Sequence, residues 1–437
     1  MGPEALARTV IAKLRGAGHQ AYLVGGSVRD LLLGAAPQDF DISTDARPDR
    51  IMDLFPNSGR VGAHFGVVLV RDASSQVEVA TFRSDQEYTD GRHPDSVHFE
   101  SDPRGDVLRR DFTINGLMLD PDTGTVLDYV GGRADLERRV VRAIGDPGTR
   151  FEEDHLRLLR AVRFAARLGF EIDSATFDAI RRHHALILDV SAERVRDELV
   201  RILTEGGARR GFEMLDASGL LADILPEVSA MKGVEQPPEY HPEGDVWTHT
   251  LLLLERLDRP TATLALGALL HDVGKPPTFR VAGRIRFDGH VEEGVKLAHA
   301  ILNRLRFSRD DMEQVEALVA NHMRFKDAGR MKQSSLKRFL RLPRFEEHLE
   351  LHRLDALGSN GHLDNYHLVK RKLEEFPEES LKPERLLTGA DLMVAGYGPG
   401  PQFSRILAAV EDAQLEGRIS TSGQALALVR EMFPLPD

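Results

Sequence analysis

The sequence predicts a multidomain α+β protein, in which an α/β head with a mixed sheet and helices is followed by all-α domains. Residues 1–145 alternate short apolar segments with turns that contain Gly and Pro, which is typical of strands joined by tight connections. From Phe151 onward, apolar residues recur at helical spacing behind capping residues. A chain of 437 residues is too long for one core, and we expect domains at 1–145, 146–235, 236–380 and 381–437.

Each predicted element follows from a short pattern. The strands of the head are predicted at AYLVGG (21–26), FDIST (40–44), GVVLV (66–70), VEVATF (77–82) and TVLDYV (125–130). The first helices behind it are predicted at LRLLRAVRFAARLGF (156–170), DSATFDAIRRHHALI (173–187), SAERVRDELVRIL (191–203) and ARRGFEMLDASGLL (208–221). The Pro- and Gly-rich stretch 226–245 is predicted to be a linker before a second helical block.

Charge and residue usage narrow the functional classes. The net charge of −12 argues against a protein that coats nucleic acid with its whole surface, but residues 137–167 are rich in arginine, so a local nucleic-acid site is expected. The chain has no cysteine, which excludes disulfides and thiolate metal ligands and fits a reducing cytoplasm. No apolar run is long enough to span a bilayer, so we expect no membrane partner and a cytoplasmic location.

A glycine pair precedes an acidic pair in LVGGSVRDLLLGAAPQDFDI (23–42). If DFDI is a strand, Asp39 and Asp41 project from the same face, and a divalent cation would relieve their repulsion. Gly25 and Gly26 allow backbone N–H groups to approach a phosphate, and Arg29 adds positive charge. The pattern predicts a nucleoside triphosphate held against metal.

Further charged residues extend this predicted site. Glu78 lies on a predicted strand and is a candidate third carboxylate, and Arg110 in LRRDFTINGL adds charge neutralisation. Two metal ions about 4 Å apart would activate a primer hydroxyl and stabilise the departing pyrophosphate. A stripe of charged residues then follows at helical spacing, namely Asp154, Arg157, Arg160, Arg163 and Arg167. An aspartate and an arginine that lie one helical turn apart can present an acceptor and several donors to the edge of a base.

In combination, LVGGSVRDLLLG…DFDI, RRDFTINGL, EDHLR (153–157) and RAVRFAARLGF (160–170) resemble class II tRNA nucleotidyltransferases over about residues 20–230. This family comprises the CCA-adding enzymes and their A-adding, CC-adding and poly(A)-polymerase relatives. The resemblance implies a nucleotidyltransferase head followed by a helical neck and body, with tRNA, ATP and CTP as partners. It also implies that segment 83–97 is a loop used for switching to adenine, which disfavours an enzyme that adds only CC.

The resemblance assigns roles to the predicted residues. Gly25, Gly26 and Arg29 would contact the triphosphate, and Asp39 and Asp41 would hold catalytic Mg²⁺. Arg110 would contact the nucleotide, while Asp154 and Arg157 would recognise the base of CTP or ATP. Arg160 and Arg163 would support that template or contact phosphate.

A second group of imidazoles and carboxylates lies between residues 245 and 360, and such ligands suit divalent metals with open positions for water. A metal-bound hydroxide attacks phosphate esters. The group resembles the H…HD…D pattern of HD phosphohydrolases, which implies metal ligands at His249, His271, Asp272 and Asp355. His290 and His322 resemble the histidines of members that hold a second metal, and Lys275 would assist phosphate binding. The metal of the HD domain would be Mg, Mn, Ni or another divalent ion. Other histidines, including His348 and His352, are predicted to have structural roles.

The sequence thus predicts template-independent addition of CMP and AMP to the 3′ end of tRNA, with a metal-dependent phosphatase or 2′,3′-cyclic phosphodiesterase behind it. Three alternatives stay open: an A-adding enzyme, a poly(A) polymerase, and a non-catalytic RNA-binding scaffold. Residues 381–437 are not notably basic, which disfavours the poly(A) polymerase. The oligomeric state and the identity of the HD metal are left open.

Overall fold

The computed structural model describes residues 2–37, 39–60, 66–86, 91 and 96–435. The chain forms two compact units, of which the first comprises Met1–Ser229 with Arg304–Arg306 and the second comprises Ala230–Asn303 with Phe307–Asp437. The predicted start of the HD domain at residue 236 lies close to the boundary between them. The finer division into four domains remains a prediction.

The first unit begins with a mixed sheet. Its described strands are β1 (Ala21–Val24), β2 (Asp41–Thr44), β3 (Ser58–Arg60), β4 (Val67–Arg71), β5 (Gln76–Thr81), β6 (Arg83–Gln86), β7 (Ser96–Phe99), β8 (Leu117–Leu119) and β9 (Val126–Asp128). Among the described residues, seven of these form one sheet in the order β3-β4-β5-β2-β1-β8-β9, in which β2 and β5 run parallel and the other neighbours antiparallel. Together with the helices behind it, this mixed sheet confirms the predicted fold class.

The sheet positions the acidic residues because its strands alternate in burial. In β5, Val77 and Val79 are buried while Glu78 is exposed. Ile42 in β2 is fully buried, as the pattern predicts. Asp41, at the first position of β2, lies directly beside Glu78 in the parallel register.

The rest of the first unit is mainly helical. They are α1 (Pro3–Gly16), α2 (Gly26–Leu32), α3 (Pro48–Leu54), α4 (Pro103–Leu108), α5 (Gly132–Arg138), α6 (Pro147–Glu153), α7 (Arg157–Leu168), α8 (Ser174–His183), α9 (Ala192–Thr204), α10 (Ala208–Ser218), α11 (Leu220–Ile224) and α12 (Pro226–Ser229). A short parallel pair, β10 (Val140–Val141) and β11 (Glu171–Ile172), lies before and after α7 in the chain. Helix α7 is buried along most of its length and ends at Leu168, and Gly169 behind it adopts a left-handed φ of +66°.

The second unit is almost entirely helical. Its helices are α13 (Val246–Glu255), α14 (Ala262–Leu270), α15 (Lys275–Thr278), α16 (His290–Arg304), α17 (Arg309–Asn321), α18 (Gln333–Leu340), α19 (Phe345–Gly358), α20 (Asp364–Glu375), α21 (Glu378–Leu381), α22 (Gly389–Val394), α23 (Gln402–Leu415) and α24 (Ser422–Met432). A hairpin of β12 (Arg280–Val281) and β13 (Ile285–Arg286) separates α15 from α16.

Helix α14 positions the second site. The hydroxyl of Thr261 caps its N-terminus by accepting from the backbone N–H of Leu264, and every residue of TLALGALL (263–270) is buried. His271 follows directly as the C-terminal cap. Residues 387–429 enclose a separate apolar core around Leu392, Ile406 and Val410. In the part of the chain that the structure describes, no helix combines the length and apolar character needed to cross a membrane.

Candidate functional site

The first unit contains a cavity of about 590 Å³ lined by the glycine pair, the acidic pair and the arginines of α7. Gly25 adopts a φ of +69°, and a Cβ there would lie 3.3 Å from Nη1 of Arg110 and 3.6 Å from Oδ2 of Asp41. A larger residue would therefore be strained and would fill the space between the basic and the acidic walls. Gly26 begins α2, so its N–H belongs to the first turn, where helical amides have no intrahelical acceptor.

The acidic pair differs in one respect from the prediction. The strand β2 begins at Asp41, and Asp39 lies in the segment before it, because the extended pairing with β1 and β5 starts only at Asp41. Both carboxylates nevertheless line the same cavity, while Glu78 flanks Asp41 outside the cavity lining. Burial and the charge of Glu78 raise the pKa of Asp41 to about 6, although Arg110 opposes this shift. Carboxylates crowded in this way fit a divalent cation.

Arg110 forms the basic wall opposite Asp41. Its Nη2 donates to Oδ2 of Asp106 at 2.9 Å and to Oγ of Ser43 at 3.2 Å, while its Nε is buried without a partner among the described residues. Burial alone would raise the pKa of Asp106, but Arg110 and Arg109 hold it at about 2. Asp106 therefore stays ionised and fixes Arg110 beside the cavity.

The predicted phosphate contact Arg29 is buried, with only 2% of its surface exposed. Its guanidinium donates to Oδ1 of Asp30 at 2.8 Å and to Oδ1 of Asn115 at 2.8 Å, and burial lowers its pKa. Asn115 in turn donates to Oδ1 of Asp111 at 3.0 Å. Arg29 still lines the cavity, so its positive charge contributes there.

Asp154 does not lie on the same helix as the arginines, contrary to the predicted stripe. Helix α6 ends at Glu153 and α7 begins at Arg157, and Asp154 between them is extended, with φ −141° and ψ 102°. The carboxylate of Asp154 accepts from the backbone N–H of Leu156 at 3.2 Å, which turns the chain into α7. Asp154 still lines the cavity, together with Arg157.

The arginines of α7 are held by carboxylates. Nη1 of Arg157 donates to Oε2 of Glu153 at 2.7 Å, and Nη2 donates to the carbonyl of Arg109 at 3.0 Å. Nε and Nη2 of Arg160 donate to Oδ2 of Asp111 at 2.9 and 2.6 Å. These ion pairs fix the guanidinium groups in the cavity wall.

Sequence reasoning missed the contribution of α9. Nε of Arg163 donates to Oε2 of Glu198 at 2.6 Å, and Nη2 of Arg194 contacts Oδ1 of Asp154 at 3.2 Å. Arg194 and Glu198 are four residues apart and share one face of α9, which was the available signal. Phe164 was also missed: it lines the cavity, and the guanidinium of Arg163 lies 4.2 Å from its ring centroid.

The segment 83–97 is only partly described, since residues 87–90 and 92–95 lie outside the described residues. Strands β6 and β7 pair residues 83–86 with 96–99. The carbonyl of Gly91 accepts from the backbone N–H of His155 at 3.2 Å, next to Asp154.

In the second unit, the structure brings all six predicted HD residues together. Nε2 of His249 lies 3.3 Å from Nε2 of His271 and 3.2 Å from Oδ1 of Asp355. Asp272 lies between two groups of ligands: its Oδ2 is 3.2 Å from Nε2 of His271, and its Oδ1 faces the other two histidines at 3.9 and 3.7 Å, from His290 and His322 respectively. Two sets of candidate ligands result, namely His249, His271 and Asp355, and Asp272, His290 and His322.

The ring orientations fit metal binding. Nδ1 of His271, of His290 and of His322 each faces a backbone carbonyl, at 2.9, 2.9 and 2.7 Å. Each Nδ1 therefore donates to its carbonyl, and each Nε2 points toward Asp272. Burial lowers the pKa of His290 and of His322, so these two rings are neutral and each Nε2 presents a lone pair. Nε2 of His290 and of His322 is buried with no hydrogen-bond partner among the described residues. Buried lone pairs that face a carboxylate are what a divalent cation satisfies.

Residues from the predicted linker complete this centre and were missed. Oε1 of Glu243 accepts from Nδ1 of His249 at 2.7 Å and from Nδ1 of His241 at 2.8 Å. Burial opposes protonation of His249, but Asp355 and Glu243 raise its pKa to about 9. The available signal was the spacing of His241, Glu243 and His249 in EYHPEGDVWTH (239–249). The Pro and Gly residues of this segment led to its prediction as a linker.

Lys275 is the basic residue closest to the centre. It is buried, and its Nζ lies 2.6 Å from Oδ2 of Asp272 and 2.6 Å from Oε1 of Gln236. Burial alone would raise the pKa of Asp272, but His271 and Lys275 hold it well below its ordinary value. Asp272 is therefore ionised and able to bind a cation.

The fold and the two sites define a nucleotidyltransferase with a second, HD-type site that is a candidate metal centre. Three family models match in this order: the Poly A polymerase head domain at residues 21–142, the probable RNA and SrmB-binding site of polymerase A at 169–232, and the HD domain at 244–391. These matches follow the order along the chain that the resemblance implies, with a nucleotidyltransferase head first, then RNA-binding helices and then an HD domain.

Full-length relatives narrow the class further. The CCA-adding enzyme of Levilactobacillus brevis is 34% identical over 421 residues, covering 96% of each chain. The crystal structure of the Bacillus stearothermophilus CCA-adding enzyme in complex with CTP is similar with a TM-score of 0.76 and 26% identity, over 99% of this chain and 98% of that one. The Thermotoga maritima CCA-adding enzyme complexed with tRNA shares the fold, with a TM-score of 0.60 and 18% identity over 99% and 96%. The chain belongs to the CCA-adding enzymes, which confirms the resemblance found in its sequence.

Proposed function

We propose that the first unit adds CMP and AMP to the 3′ end of tRNA without a nucleic-acid template. The observation that carries this proposal is the shared cavity, in which Asp39 and Asp41 lie opposite Arg110 and in the same space as Asp154 and Arg157. Its volume of about 590 Å³ is in the range of pockets that enclose a whole small ligand. The relatives named CCA-adding enzymes support the same activity.

The residues of the cavity divide the work between phosphate and base. Mg²⁺ held by Asp39 and Asp41 would activate the primer hydroxyl and stabilise the leaving pyrophosphate. Arg110 and Arg29 offset the charge of the triphosphate, which the absent side chain of Gly25 allows to approach. The oxygen of the tRNA hydroxyl bonds to the α-phosphorus and its proton passes to water. The bond from the α-phosphorus to the oxygen that bridges to the β-phosphorus breaks, and pyrophosphate leaves.

Asp154 and Arg157 account for the choice of nucleotide. Cytosine and adenine each present an exocyclic amino donor where uracil and guanine present an oxygen. The carboxylate of Asp154, fixed by Arg194 and by the N–H of Leu156, accepts from that amino group. Arg157 adds a donor for the neighbouring ring nitrogen.

Stepwise incubation tests this proposal. A tRNA that ends at the discriminator base is expected to gain two CMP with CTP alone and one further AMP when ATP is added. No extension with CTP alone would instead identify an A-adding enzyme, and a long tail with ATP would identify a poly(A) polymerase. Absence of all incorporation would leave an RNA-binding scaffold.

We infer that the second unit hydrolyses phosphate esters, as a phosphatase or a 2′,3′-cyclic phosphodiesterase. Support comes from the convergence of six candidate ligands and from Nε2 of His290 and of His322, which have no hydrogen-bond partner within the described ranges. A bound divalent metal would supply a hydroxide at neutral pH. In a cyclic ester, an oxygen of water bonds to phosphorus, one ribose–oxygen bond to phosphorus breaks, and the proton passes to that ribose oxygen. The product is a phosphomonoester.

Metal loading tests the second activity. Protein stripped with a chelator and then given Mg²⁺, Mn²⁺ or Ni²⁺ is expected to hydrolyse adenosine 2′,3′-cyclic phosphate with at least one of them. Hydrolysis that persists at full rate after chelation would contradict the assignment. Since the proposed substrates are tRNA, ATP and CTP, we place the protein in the cytoplasm.

A further inference from the structure

The second metal centre opens into a cavity of about 580 Å³ whose far wall the proposed hydrolysis does not use. Asp272, His290, His322 and Asp355 line one side of this cavity. A phosphate group alone is far smaller than a pocket of this size, which falls in the range that encloses a whole small ligand. The remaining walls therefore indicate what else the substrate carries.

Three cations line the cavity without an ion-pair partner in the part of the chain that the structure describes. Arg284 and Arg286 belong to the β12–β13 hairpin, and Lys326 comes from the segment after α17. All three are exposed, in contrast to Lys275, which is buried and already paired with Asp272. Outside the metal centre and its Lys275, the three cations outnumber the two carboxylates of the lining, Glu239 and Asp288, by one charge.

Aromatic surface accompanies these cations. Tyr240 is 57% exposed and lines the cavity together with Phe287. An aromatic ring beside unpaired basic residues is the combination with which proteins bind single-stranded nucleic acid, by stacking a base and neutralising the backbone.

We propose that this cavity binds the 3′ end of an RNA strand that has at least one phosphodiester on the 5′ side of the reacting phosphate. Arg284, Arg286 and Lys326 hold that second phosphate, and Tyr240 or Phe287 stacks on a base. The unit therefore prefers oligonucleotide ends to mononucleotides. This inference rests on the proposed phosphohydrolase and names its substrate class.

A comparison of two substrates tests the inference. Adenosine 2′,3′-cyclic phosphate and the dinucleotide ApA with a terminal 2′,3′-cyclic phosphate differ by one nucleoside and one phosphodiester. We expect kcat/KM to be at least about tenfold higher for the dinucleotide. The double variant Arg284→Ala/Arg286→Ala, and separately Lys326→Ala, should reduce the dinucleotide value at least fivefold more than the mononucleotide value. Lys370→Ala, which removes an exposed lysine of α20 outside the cavity, should change neither.

Binding without metal separates this inference from the proposed hydrolysis. In the presence of a chelator, the affinity for ApA 3′-phosphate should exceed the affinity for adenosine 3′-phosphate. In the arginine double variant, the slope of log affinity for ApA 3′-phosphate against log salt concentration should become shallower by about 0.7 per lost phosphate contact. Equal affinities for the two ligands, or equal losses on both substrates in the variants, would overturn the inference. If neither substrate is hydrolysed, the proposed activity fails, and the binding comparison still decides the inference.

Discussion

The two cavities handle charge in opposite ways. In the first unit, Arg157, Arg160 and Arg163 are each held by a carboxylate before any substrate is present. In the second unit, Nε2 of His290 and of His322 is buried with no hydrogen-bond partner among the residues that the structure describes. The first cavity thus presents a fixed frame of donors to an anionic ligand, whereas the second presents lone pairs that call for a cation. The comparison shows that satisfied and unsatisfied polar groups indicate different classes of ligand.

The strongest test of this contrast is Asp41→Asn. Nucleotide incorporation into tRNA should fall at least about 100-fold because a ligand of the catalytic cation is lost, while hydrolysis by the second unit stays unchanged. Because the folded protein raises the pKa of Asp41, its charged form costs stability at pH 7, so the variant should unfold no more easily than the wild type. Labelled CTP and ATP incorporation and urea unfolding measure both effects.

Asp53→Asn, at an exposed position of α3, is the matched control and should retain full incorporation. A rate within tenfold of the wild type in Asp41→Asn would remove this residue from the catalytic site.

The next effect concerns orientation of a metal ligand in the second unit. Glu243→Gln removes the charge that orients His249, and metal affinity should fall about 10- to 100-fold. Competition against a chelating dye measures the affinity. Glu235→Gln, at an exposed position in the same segment, should bind metal like the wild type. Equal affinity in both variants would show that Glu243 does not support the centre.

A third test asks whether an unpartnered nitrogen is enough to indicate metal. Nε2 of His348 is also buried without a partner among the described residues, but none of the candidate metal groups includes this residue. Burial lowers the pKa of His348 to about 4, so the neutral ring is favoured and stability is lost as the pH falls from about 6.5 towards 4. The loss reaches about 2 kcal/mol at pH 5.

His348→Met should therefore reduce the loss of unfolding free energy between pH 7 and pH 5 by about 2 kcal/mol and leave the metal content unchanged. His367→Met, at an exposed position of α20, should keep the acid sensitivity of the wild type. Urea unfolding at the two pH values and elemental analysis provide the readouts. A drop in metal content of His348→Met would contradict the structural role.

The smallest effect is expected at the base-recognition site. Arg194→Ala frees the carboxylate of Asp154, and KM for CTP and ATP should rise about three- to tenfold, since a partly exposed ion pair contributes about 1 kcal/mol. Arg196→Ala, two residues along α9, is the control with unchanged KM. Steady-state kinetics at saturating tRNA measure KM for CTP and for ATP in both variants. An unchanged KM in Arg194→Ala would show that Asp154 is held in place without the contact from α9.

These tests also show what the sequence could predict. Residues at the ends of strands and helices, such as Asp41 and His271, were identified because their motifs are local in the chain. The prediction that Asp154 lies on the same helix as Arg157 was wrong. The spacing of charged residues continues unchanged across the break between α6 and α7, so it does not reveal an extended residue there. Glu198 and Glu243 were missed because their partners lie on other elements, and only the fold brings the pairs together.

The turn between β13 and α16 joins the basic wall of the second cavity to the candidate metal ligand His290. The carbonyl of Phe287 orients the ring of His290, and Arg286 is its immediate neighbour in the chain. The side chain of Arg286 can therefore be exchanged while the backbone carbonyl of Phe287 keeps its contact with His290, whereas an insertion or deletion in this turn would move an inner ligand. A new specificity is therefore better engineered here by substitution than by a change in the length of the turn.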